Sequence, residues 1–238
     1  PFGEGWTNNP LGLTIKDGKA YGRGACDIKS AAASLLTLAE NTELDMALLF
    51  TTDEEGTEGC CVKKFCDGIN YDDFKLVVVA EPTGMKATLG HRGYLSVKGQ
   101  FKGVAGHTST PGATDQNALH ALSKWTSSAI EIADDSGHGK LKDNRFNIGR
   151  IEGGIKPNMV APDETVLWSM RPSSTHDNKA LFNIMTEGSN ANWTVSFSAP
   201  SLPAAGETNY KTSQLMTEIG IEIGENVAFW TEASLFSK

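Results

Sequence analysis

The pattern of apolar and polar positions predicts a sheet flanked by helices in the first part of the chain. Residues 46–52 and 76–80 are short, largely apolar runs, which are typical of strands buried on both faces of a sheet. Residues 28–40 are rich in Ala and Leu and contain neither Pro nor Gly, so they predict a helix. Together these elements indicate α/β architecture, in which functional sites lie at the ends of strands.

The pattern changes after residue 93. Residues 94–101 alternate between apolar and polar side chains, as a half-exposed strand does. The following segments predict a helix at 115–134, strands at 146–151 and 165–170, a helix at 176–187 and a strand at 193–197. Their order, β-α-β-β-α-β, is that of the ferredoxin-like split unit.

These elements predict one α/β domain that is interrupted by a smaller α+β domain. We expect the α/β domain to occupy residues 1–90 and to resume at 200–238, where a helix is predicted at 212–220. The inserted domain is expected to span 91–199, because the Pro-containing segment 198–203 is typical of a connection between domains.

Composition narrows the possible functions. The chain has 238 residues, a formal net charge of -8 and a pI near 5.1. Phosphate binding needs clustered Lys and Arg, which are missing, so we expect no nucleic-acid partner. No run of 18 apolar residues predicts a membrane span. The first residues have neither the basic nor the apolar region of a signal peptide, so we expect a cytoplasmic protein.

Three consecutive acids, Asp53, Glu54 and Glu55, follow the first predicted strand. Carboxylates held this close together oppose each other's ionisation unless solvent or a bound cation compensates. Neighbouring side chains of an extended backbone point to opposite sides, so one Glu can bind a metal while the other handles a proton. A solvated acidic loop is the alternative interpretation.

Two further acids lie where strands and helices meet. Asp27 directly precedes the predicted helix, and the simpler interpretation of this residue is a helix N-cap. Glu81 follows the second predicted strand, and its simpler interpretation is a turn at the strand end. If the fold brings both acids to the same end of the sheet as residues 53–55, a shared cation explains the whole group.

A strand that ends in acids also occurs in the Mg²⁺ motif of nucleotide hydrolases. That interpretation requires the phosphate loop G-x-x-x-x-G-K-[ST]. The two Gly-Lys pairs of this chain are followed by Ala20 and Leu141, so the loop is missing and this alternative is disfavoured.

Six motifs in chain order carry a family resemblance. They are Gly22-Arg23-Gly24-x-x-Asp27-x-Lys29, Thr52-Asp53-Glu54-Glu55-Gly56, Glu81-Pro82-Thr83, His91-Arg92-Gly93, Gly106-His107-Thr108-Ser109-x-Pro111 and Gly153-Gly154-x-x-x-Asn158. Together they resemble the acetylornithine deacetylase and succinyl-diaminopimelate desuccinylase family of dizinc hydrolases. The match continues to Thr231-Glu232-Ala233, and segments 145–158 and 229–236 look most like the acetylornithine and acetylcitrulline deacetylases.

The resemblance implies a role for each acid. Asp27 would bridge two zinc ions, for which cobalt can substitute, while Glu81 would bind one ion and Glu55 the other. Glu54 would be the general base. His107 matches a histidine that reaches the active site of the partner subunit and stabilises the oxyanion; without the motif, it reads as a polar loop histidine.

The resemblance also implies the substrate contacts. Asn158 and Arg171 match positions that hold the substrate carboxylate, and Thr231 matches another substrate contact. Without the resemblance, Arg171 reads as a surface charge at a strand end. His91 stands where desuccinylases have a further Arg for a second carboxylate, which favours a monoacid acyl group such as acetyl.

The fold implied is a zinc-peptidase-like catalytic domain with an inserted ferredoxin-like lid that forms a homodimer. The activity implied is removal of the N-acetyl group from a small N-acyl amino acid, N-acetylornithine or N-acetylcitrulline, in arginine biosynthesis. Succinyl-diaminopimelate desuccinylase is the alternative within the family. A dimerisation module with a vestigial, inactive site is the alternative from another class.

Two histidine ligands of the family are missing from this chain. One belongs to an H-x-D motif before the bridging Asp and the other lies near the C-terminus, yet no His precedes His91 and none follows His176. Each zinc ion would therefore lack its nitrogen ligand. A fragment of a longer enzyme and a natural remnant without catalysis are both compatible with this pattern.

We expect the 238-residue chain by itself to bind zinc weakly and to show negligible hydrolase activity, because carboxylates alone leave each ion incompletely coordinated. Calorimetric titration with ZnCl₂ measures this affinity. Binding of two zinc ions at micromolar concentration or tighter contradicts the expectation.

Overall fold

A computed structural model describes residues 5–52, 61–70, 73–133, 141 and 143–237. The chain forms two compact units: unit 1 comprises Pro1–Ala87 and Thr231–Phe236, and unit 2 comprises Thr88–Trp230 and Ser237–Lys238. Residues 200–230 thus group with unit 2. The division into 1–90, 91–199 and 200–238 as functional domains stays a prediction.

The described strands, in chain order, are β1 (Thr14–Lys16), β2 (Lys19–Tyr21), β3 (Tyr94–Lys102), β4 (Gly106–His107), β5 (Arg145–Gly153), β6 (Met159–Val160), β7 (Asp163–Arg171) and β8 (Asn192–Ala199). The α-helices are α1 (Lys29–Asn41), α2 (Cys61–Cys66), α3 (Ala118–Ile132), α4 (Asn178–Thr186), α5 (Tyr210–Glu218) and α6 (Ala233–Phe236). None of these described helices is long and apolar enough to cross a membrane.

Unit 1 contains the helix that the sequence predicts at 28–40, which is observed as α1. The strands β1 and β2 form an antiparallel hairpin, whose turn residues Asp17 and Gly18 both have positive φ. An Asp-Gly pair with positive φ at both positions is the usual two-residue hairpin turn, because its twist matches that of the strands.

The strands predicted at 46–52 and 76–80 are not observed. Neither segment belongs to a helix or strand, and Phe50 and Val78 are 52% and 74% exposed. A strand requires a neighbour whose backbone completes the hydrogen-bond ladder, and the described residues place no such neighbour beside either segment. The apolar run indicated a tendency to be buried, but not what buries it.

Unit 2 contains the predicted β-α-β-β-α-β series. Its four long strands form one antiparallel sheet in the order β5-β7-β3-β8. The two helices of the series begin later than predicted, because Asn117 and Asp177 cap them. The Asn117 side chain accepts from the N–H groups of Leu119 and His120, and that of Asp177 accepts from Ala180.

One face of this sheet carries the core of unit 2. Alternate residues of β3 and β7 are buried there against α3 and α4. Five aromatic rings pack together, with centroids of neighbouring rings 4.9–6.5 Å apart: Phe101, Trp125, Phe146, Trp168 and Trp193. Such rings bury large apolar areas and account for much of the stability of a domain.

A carboxylate lies among these buried side chains. Glu164 on β7 is 2% exposed, and neither of its carboxylate oxygens makes a hydrogen bond of normal geometry with the described residues. An added Cβ on Gly153 would lie 2.6 Å from the backbone carbonyl oxygen of Asp163, and Gly153 has a φ of 148°, so the neighbouring strand needs glycine at that position. Burial raises the pKa of Glu164, while the N–H of Gly154 opposes this shift in part and the charge of Asp163 adds to it.

We expect unit 2 to become less stable as pH rises, because of Glu164. A carboxyl whose pKa is raised by folding contributes stability below its ordinary pKa of 4.5, and this contribution is lost as pH rises through the folded-state pKa. Glu164→Gln should therefore unfold with a smaller pH dependence and gain on the order of 1 kcal/mol at pH 7 relative to the parent.

Urea unfolding at pH 4 and pH 7 measures this difference. Glu131→Gln, which changes an exposed acid on α3, is the matched control and should behave like the parent. Parallel pH dependences for Glu164→Gln and the parent contradict the prediction.

Candidate functional site

The described candidate residues fall into two groups, one in each unit. Unit 1 contains Asp27, Glu81 and Thr231, and unit 2 contains His107, Asn158 and Arg171. Glu54 and Glu55, the predicted base and metal ligand, lie outside the described residues, so their roles stay predictions.

Asp27 does not cap α1. The N-cap position belongs to Ile28, which makes no side-chain capping bond, and Asp27 is exposed. The simpler interpretation of Asp27, as a helix cap, is therefore wrong. The peptide bond between Asp27 and Ile28 is cis.

Glu81 is half-buried at the end of the apolar run 76–80, where its carbonyl accepts from the N–H of Thr83 at 2.8 Å. Within the described ranges, no three His, Cys, Asp or Glu side chains come together as metal ligands. Asp27 and Glu81 offer oxygen ligands of the kind that zinc accepts, but a zinc site of four ligands needs more than these two. The described residues alone therefore do not form a metal centre.

Thr231 lies at the start of α6. It is 5% exposed, and its hydroxyl oxygen accepts from the N–H of Ala233 at 3.2 Å, which satisfies a free donor in the first turn. The structure thus gives Thr231 a capping contact, and its predicted contact with substrate stays a prediction.

His107 and Asn158 lie side by side, although 51 positions separate them in sequence. The two-residue strands β4 and β6 pair antiparallel, which sets His107 opposite Met159. The side-chain amide nitrogen of Asn158 lies 3.4 Å from Nε2 of His107, and the backbone carbonyl of Asn158 accepts from the N–H of Thr108 at 3.2 Å. The fold therefore brings together two residues that the resemblance assigns to one active site.

Backbone hydrogen bonds hold these short strands in place. The N–H of Gly103 donates to Pro162 at 2.7 Å, and the N–H of Ala118 donates to Ala161 at 3.0 Å. An added Cβ on Gly103 would overlap the carbonyl oxygen of Gln116, so only glycine fits this approach. Val160, the residue of β6 beside the site, is fully buried and anchors the pair.

Ser109 completes the surroundings of His107. Its hydroxyl lies 2.7 Å from Nδ1 of His107, and its backbone N–H donates to the same nitrogen at 3.3 Å. Ser109 belongs to the same motif as His107, but the family resemblance implies no role for it. A serine two positions after a loop histidine is the signal that could have indicated this contact, because hydroxyls of loop residues bond groups two positions away.

Arg171 is held at the end of β7 by an aromatic side chain. Its guanidinium carbon lies 4.1 Å from the ring centroid of Tyr94. The ring of Phe197 packs at 5.8 Å from Tyr94, and Trp230 at 5.4 Å from Phe197. Cations are attracted to the faces of aromatic rings, so this row of rings orients the guanidinium.

Arg92 fixes the backbone at the same strand end. Its guanidinium donates to the carbonyl of Arg171 at 3.2 Å and also to the carbonyl of Asp143. The N–H of Gly93 donates to Pro172 at 2.8 Å. The motif 91–93 therefore positions the segment that carries Arg171.

His91 is buried, at 6% exposure. One ring nitrogen, Nδ1, donates to the carbonyl of Arg92 at 2.9 Å, and Nε2 has no partner among the described residues. Burial lowers the pKa of His91, and the bond to Arg92 opposes this in part. The ring is packed in the interior of unit 2, so the structure gives no contact that bears on the acyl preference inferred from it.

The chain matches one protein family along nearly its whole length. The model of the peptidase family M20/M25/M40 matches residues 1–236. N-acetyl-L-citrulline deacetylase of Xanthomonas campestris is 37% identical over 244 residues, which cover 98% of this chain and 66% of the relative. Succinyl-diaminopimelate desuccinylase of Polynucleobacter necessarius is 33% identical over 179 residues, which cover 69% of this chain and 46% of the relative.

Solved structures share the fold at low sequence identity. The aminopeptidase PepT of Bacillus cereus is 16% identical, with a TM-score of 0.64 over 95% of this chain and 65% of that protein. A tripeptidase of Staphylococcus aureus is 18% identical, with a TM-score of 0.60 over 94% of this chain and 64% of that protein. The chain thus spans less than two thirds of each of these structures.

We expect Tyr94 and Arg171 to stabilise the protein jointly, by about 0.5–1 kcal/mol, because the guanidinium stacks on a partly exposed ring. A double-mutant cycle with Tyr94→Leu and Arg171→Met, read by urea unfolding, measures this coupling. Tyr94→Phe is the control and should retain the coupling, since it keeps the ring face. Additive effects of the Leu and Met substitutions contradict the prediction.

Proposed function

We propose, because the chain belongs to peptidase family M20/M25/M40, that it provides most of the active site of an N-acetyl-amino-acid deacetylase. The substrates would be N-acetylcitrulline or N-acetylornithine, and the pathway arginine biosynthesis. The observation that carries this proposal is the 37% identity to an acetylcitrulline deacetylase over 98% of the chain. The contact between His107 and Asn158 supports it independently.

Two zinc ions, or cobalt in their place, would be held by Asp27, Glu55 and Glu81 together with nitrogen ligands. The 238 residues contain no histidine before His91 or after His176 to provide such ligands. When bound, the ions would supply a more acidic water and a polarised amide carbonyl. This metal requirement is part of the proposal, since the described residues do not form a metal centre.

Glu54 would handle the proton of the reaction. As a carboxylate beside the metal ligands, it would take a proton from the attacking water and pass it to the nitrogen of the leaving amine. Amines are poor leaving groups unless protonated, so the same residue would serve both steps. The position of Glu54 directly before Glu55 supports this division of roles.

His107 would donate a hydrogen bond to the oxygen on which charge develops as water adds to the amide carbonyl. Donors placed for the charged oxygen stabilise the transition state more than the ground state. His107 is exposed in unit 2, and its Nε2 lies 3.4 Å from the side-chain amide nitrogen of Asn158. Asn158 would help Arg171 to hold the carboxylate of the substrate.

Arg171 would bind the α-carboxylate of the substrate. A guanidinium matches the two oxygens of a carboxylate with two parallel N–H groups. The stacking on Tyr94 and the bond from Arg92 to the strand end would limit its motion, which reduces the entropy lost on binding. Thr231 would add a further substrate contact.

The enzyme would act as a cytoplasmic homodimer. In this proposal, residues 91–199 form the lid and dimerisation domain, and each His107 serves the site of the other subunit. The sheet of unit 2 supports this arrangement, because its edge strands β5 and β8 leave backbone groups that a second copy can pair.

Succinyl-diaminopimelate desuccinylation is the second candidate. The 33% identity to a desuccinylase over 69% of the chain favours it, although that match covers less of the chain than the deacetylase match does. A non-catalytic dimerisation module with a vestigial site is the candidate from another class, and the missing histidines are the observation behind it.

We expect the full-length protein, assayed with N-acetylcitrulline, N-acetylornithine and N-succinyl-diaminopimelate, to prefer an acetylated substrate. Glu54→Gln should lower kcat by roughly 10²–10⁴, the usual contribution of a general base. Glu43→Gln, at an exposed acid outside the proposed site, is the control and should leave kcat unchanged.

Each alternative predicts a different result in this assay. Preference for the succinyl substrate would show that the protein is a desuccinylase. If the full-length parent has no activity on any of these substrates in the presence of zinc or cobalt, the result supports the non-catalytic dimerisation module.

A further inference from the structure

We infer that Ser109 is a positioning residue that keeps the ring proton of His107 on Nε2. The imidazole would then enter the reaction as a neutral hydrogen-bond donor of fixed orientation. This inference deepens the proposed function and rests on it for its catalytic consequence. Its structural part concerns one loop of unit 2 and stands on the contacts of that loop.

Two groups of Ser109 converge on Nδ1 of His107. The hydroxyl oxygen lies 2.7 Å from Nδ1, and the backbone nitrogen lies 3.3 Å from it. A hydroxyl can donate or accept, so its contact alone is compatible with either tautomer. A backbone N–H can only donate, so it requires a lone pair on Nδ1.

The neutral ring carries one proton, which must therefore lie on Nε2. If Nδ1 carried the proton, its hydrogen would face the N–H of Ser109, and two donors would oppose each other. With the lone pair on Nδ1, the Ser109 hydroxyl also donates to it. Both groups of Ser109 thus favour the same tautomer.

The contact on the far side of the ring determines how the Asn158 amide must be oriented. As placed, the amide nitrogen of Asn158 lies 3.4 Å from Nε2, and a neutral ring cannot accept hydrogen bonds both there and at Nδ1 from the N–H of Ser109. The two ends of an amide have nearly the same shape, and the end that faces a neighbour is assigned from the hydrogen-bond network. A proton on Nε2 requires the oxygen of Asn158 to face the ring.

Asn158 would therefore hold the Nε2 proton in the absence of substrate. The pairing of β4 with β6 fixes the distance between the two side chains, because His107 lies opposite the neighbour of Asn158. When substrate binds, its carbonyl oxygen would take the place of the Asn158 oxygen as acceptor. The donor would need no rotation and no tautomer change at that moment.

The choice of tautomer has a direct chemical consequence. A ring with its proton on Nδ1 would present the lone pair of Nε2 to the oxygen that becomes negative, and the two would repel. A ring with its proton on Nε2 donates a hydrogen bond to that oxygen as charge develops. Ser109 would thus act on the reaction through His107, without touching the substrate.

Ring nitrogen NMR tests the structural part. The 238-residue chain is labelled with ¹⁵N-histidine, and the signals of His107 are assigned by their loss in His107→Gln. At a pH where the ring is neutral, we expect a protonated Nε2 and an unprotonated Nδ1. A predominant Nδ1-protonated ring overturns the inference.

Variants of the loop test the role of the hydroxyl. Ser109→Ala should shift the His107 signals towards a mixture of the two neutral tautomers, and Ser109→Thr, which keeps the hydroxyl, should restore the parent spectrum. Thr110→Val, one position along the same loop, is the control and should leave the His107 signals unchanged. Identical ring spectra for Ser109→Ala and the parent overturn the role given to the hydroxyl.

Kinetics of the full-length enzyme test the catalytic part. Ser109→Ala should lower kcat about tenfold with little change in KM, since the affected bond strengthens only in the transition state. Ser109→Thr should recover kcat, and Thr110→Val should retain it. An unchanged kcat in Ser109→Ala overturns the catalytic consequence, whereas a parent inactive on every acyl substrate overturns the proposed function and leaves the tautomer result standing.

Discussion

The antiparallel register between β3 and β7 is the constraint on which the described part of the site depends. It continues beyond the sheet through the bond from Gly103 to Pro162 and then through the pairing of β4 with β6. This continuous path sets His107 beside Asn158. A slip of one residue would turn each side chain to the other face, and the aromatic core under β3 and β7 opposes such a slip.

The sequence predicted unit 2 better than unit 1 because the two units differ in how their patterns relate to neighbours. Alternation along 94–101 reports a strand with one buried face, and the helices that cover this face belong to the same series of elements. The apolar runs 46–52 and 76–80 predict strands that are buried on both faces of a sheet. Burial of such strands requires neighbouring strands and helices, and an apolar pattern does not identify which segments these are.

Motif order identified His107 and Asn158 as candidates, but it did not show that they touch. Their contact depends on two-residue strands, which are too short to produce a periodic pattern. Ser109 and Tyr94 gained their importance only from distances to His107 and Arg171. At α1 the sequence suggested a contact that the structure does not contain. Asp27 is a favourable residue type for an N-cap, yet it makes no capping bond.

A crystal structure of the full-length protein with a non-hydrolysable analogue of N-acetylcitrulline tests the proposed function most directly. We predict that the carboxylate of the analogue binds the Arg171 guanidinium and that the atom replacing the acetyl oxygen accepts a hydrogen bond from Nε2 of His107. An analogue bound in the active site without either contact would contradict the roles given to unit 2.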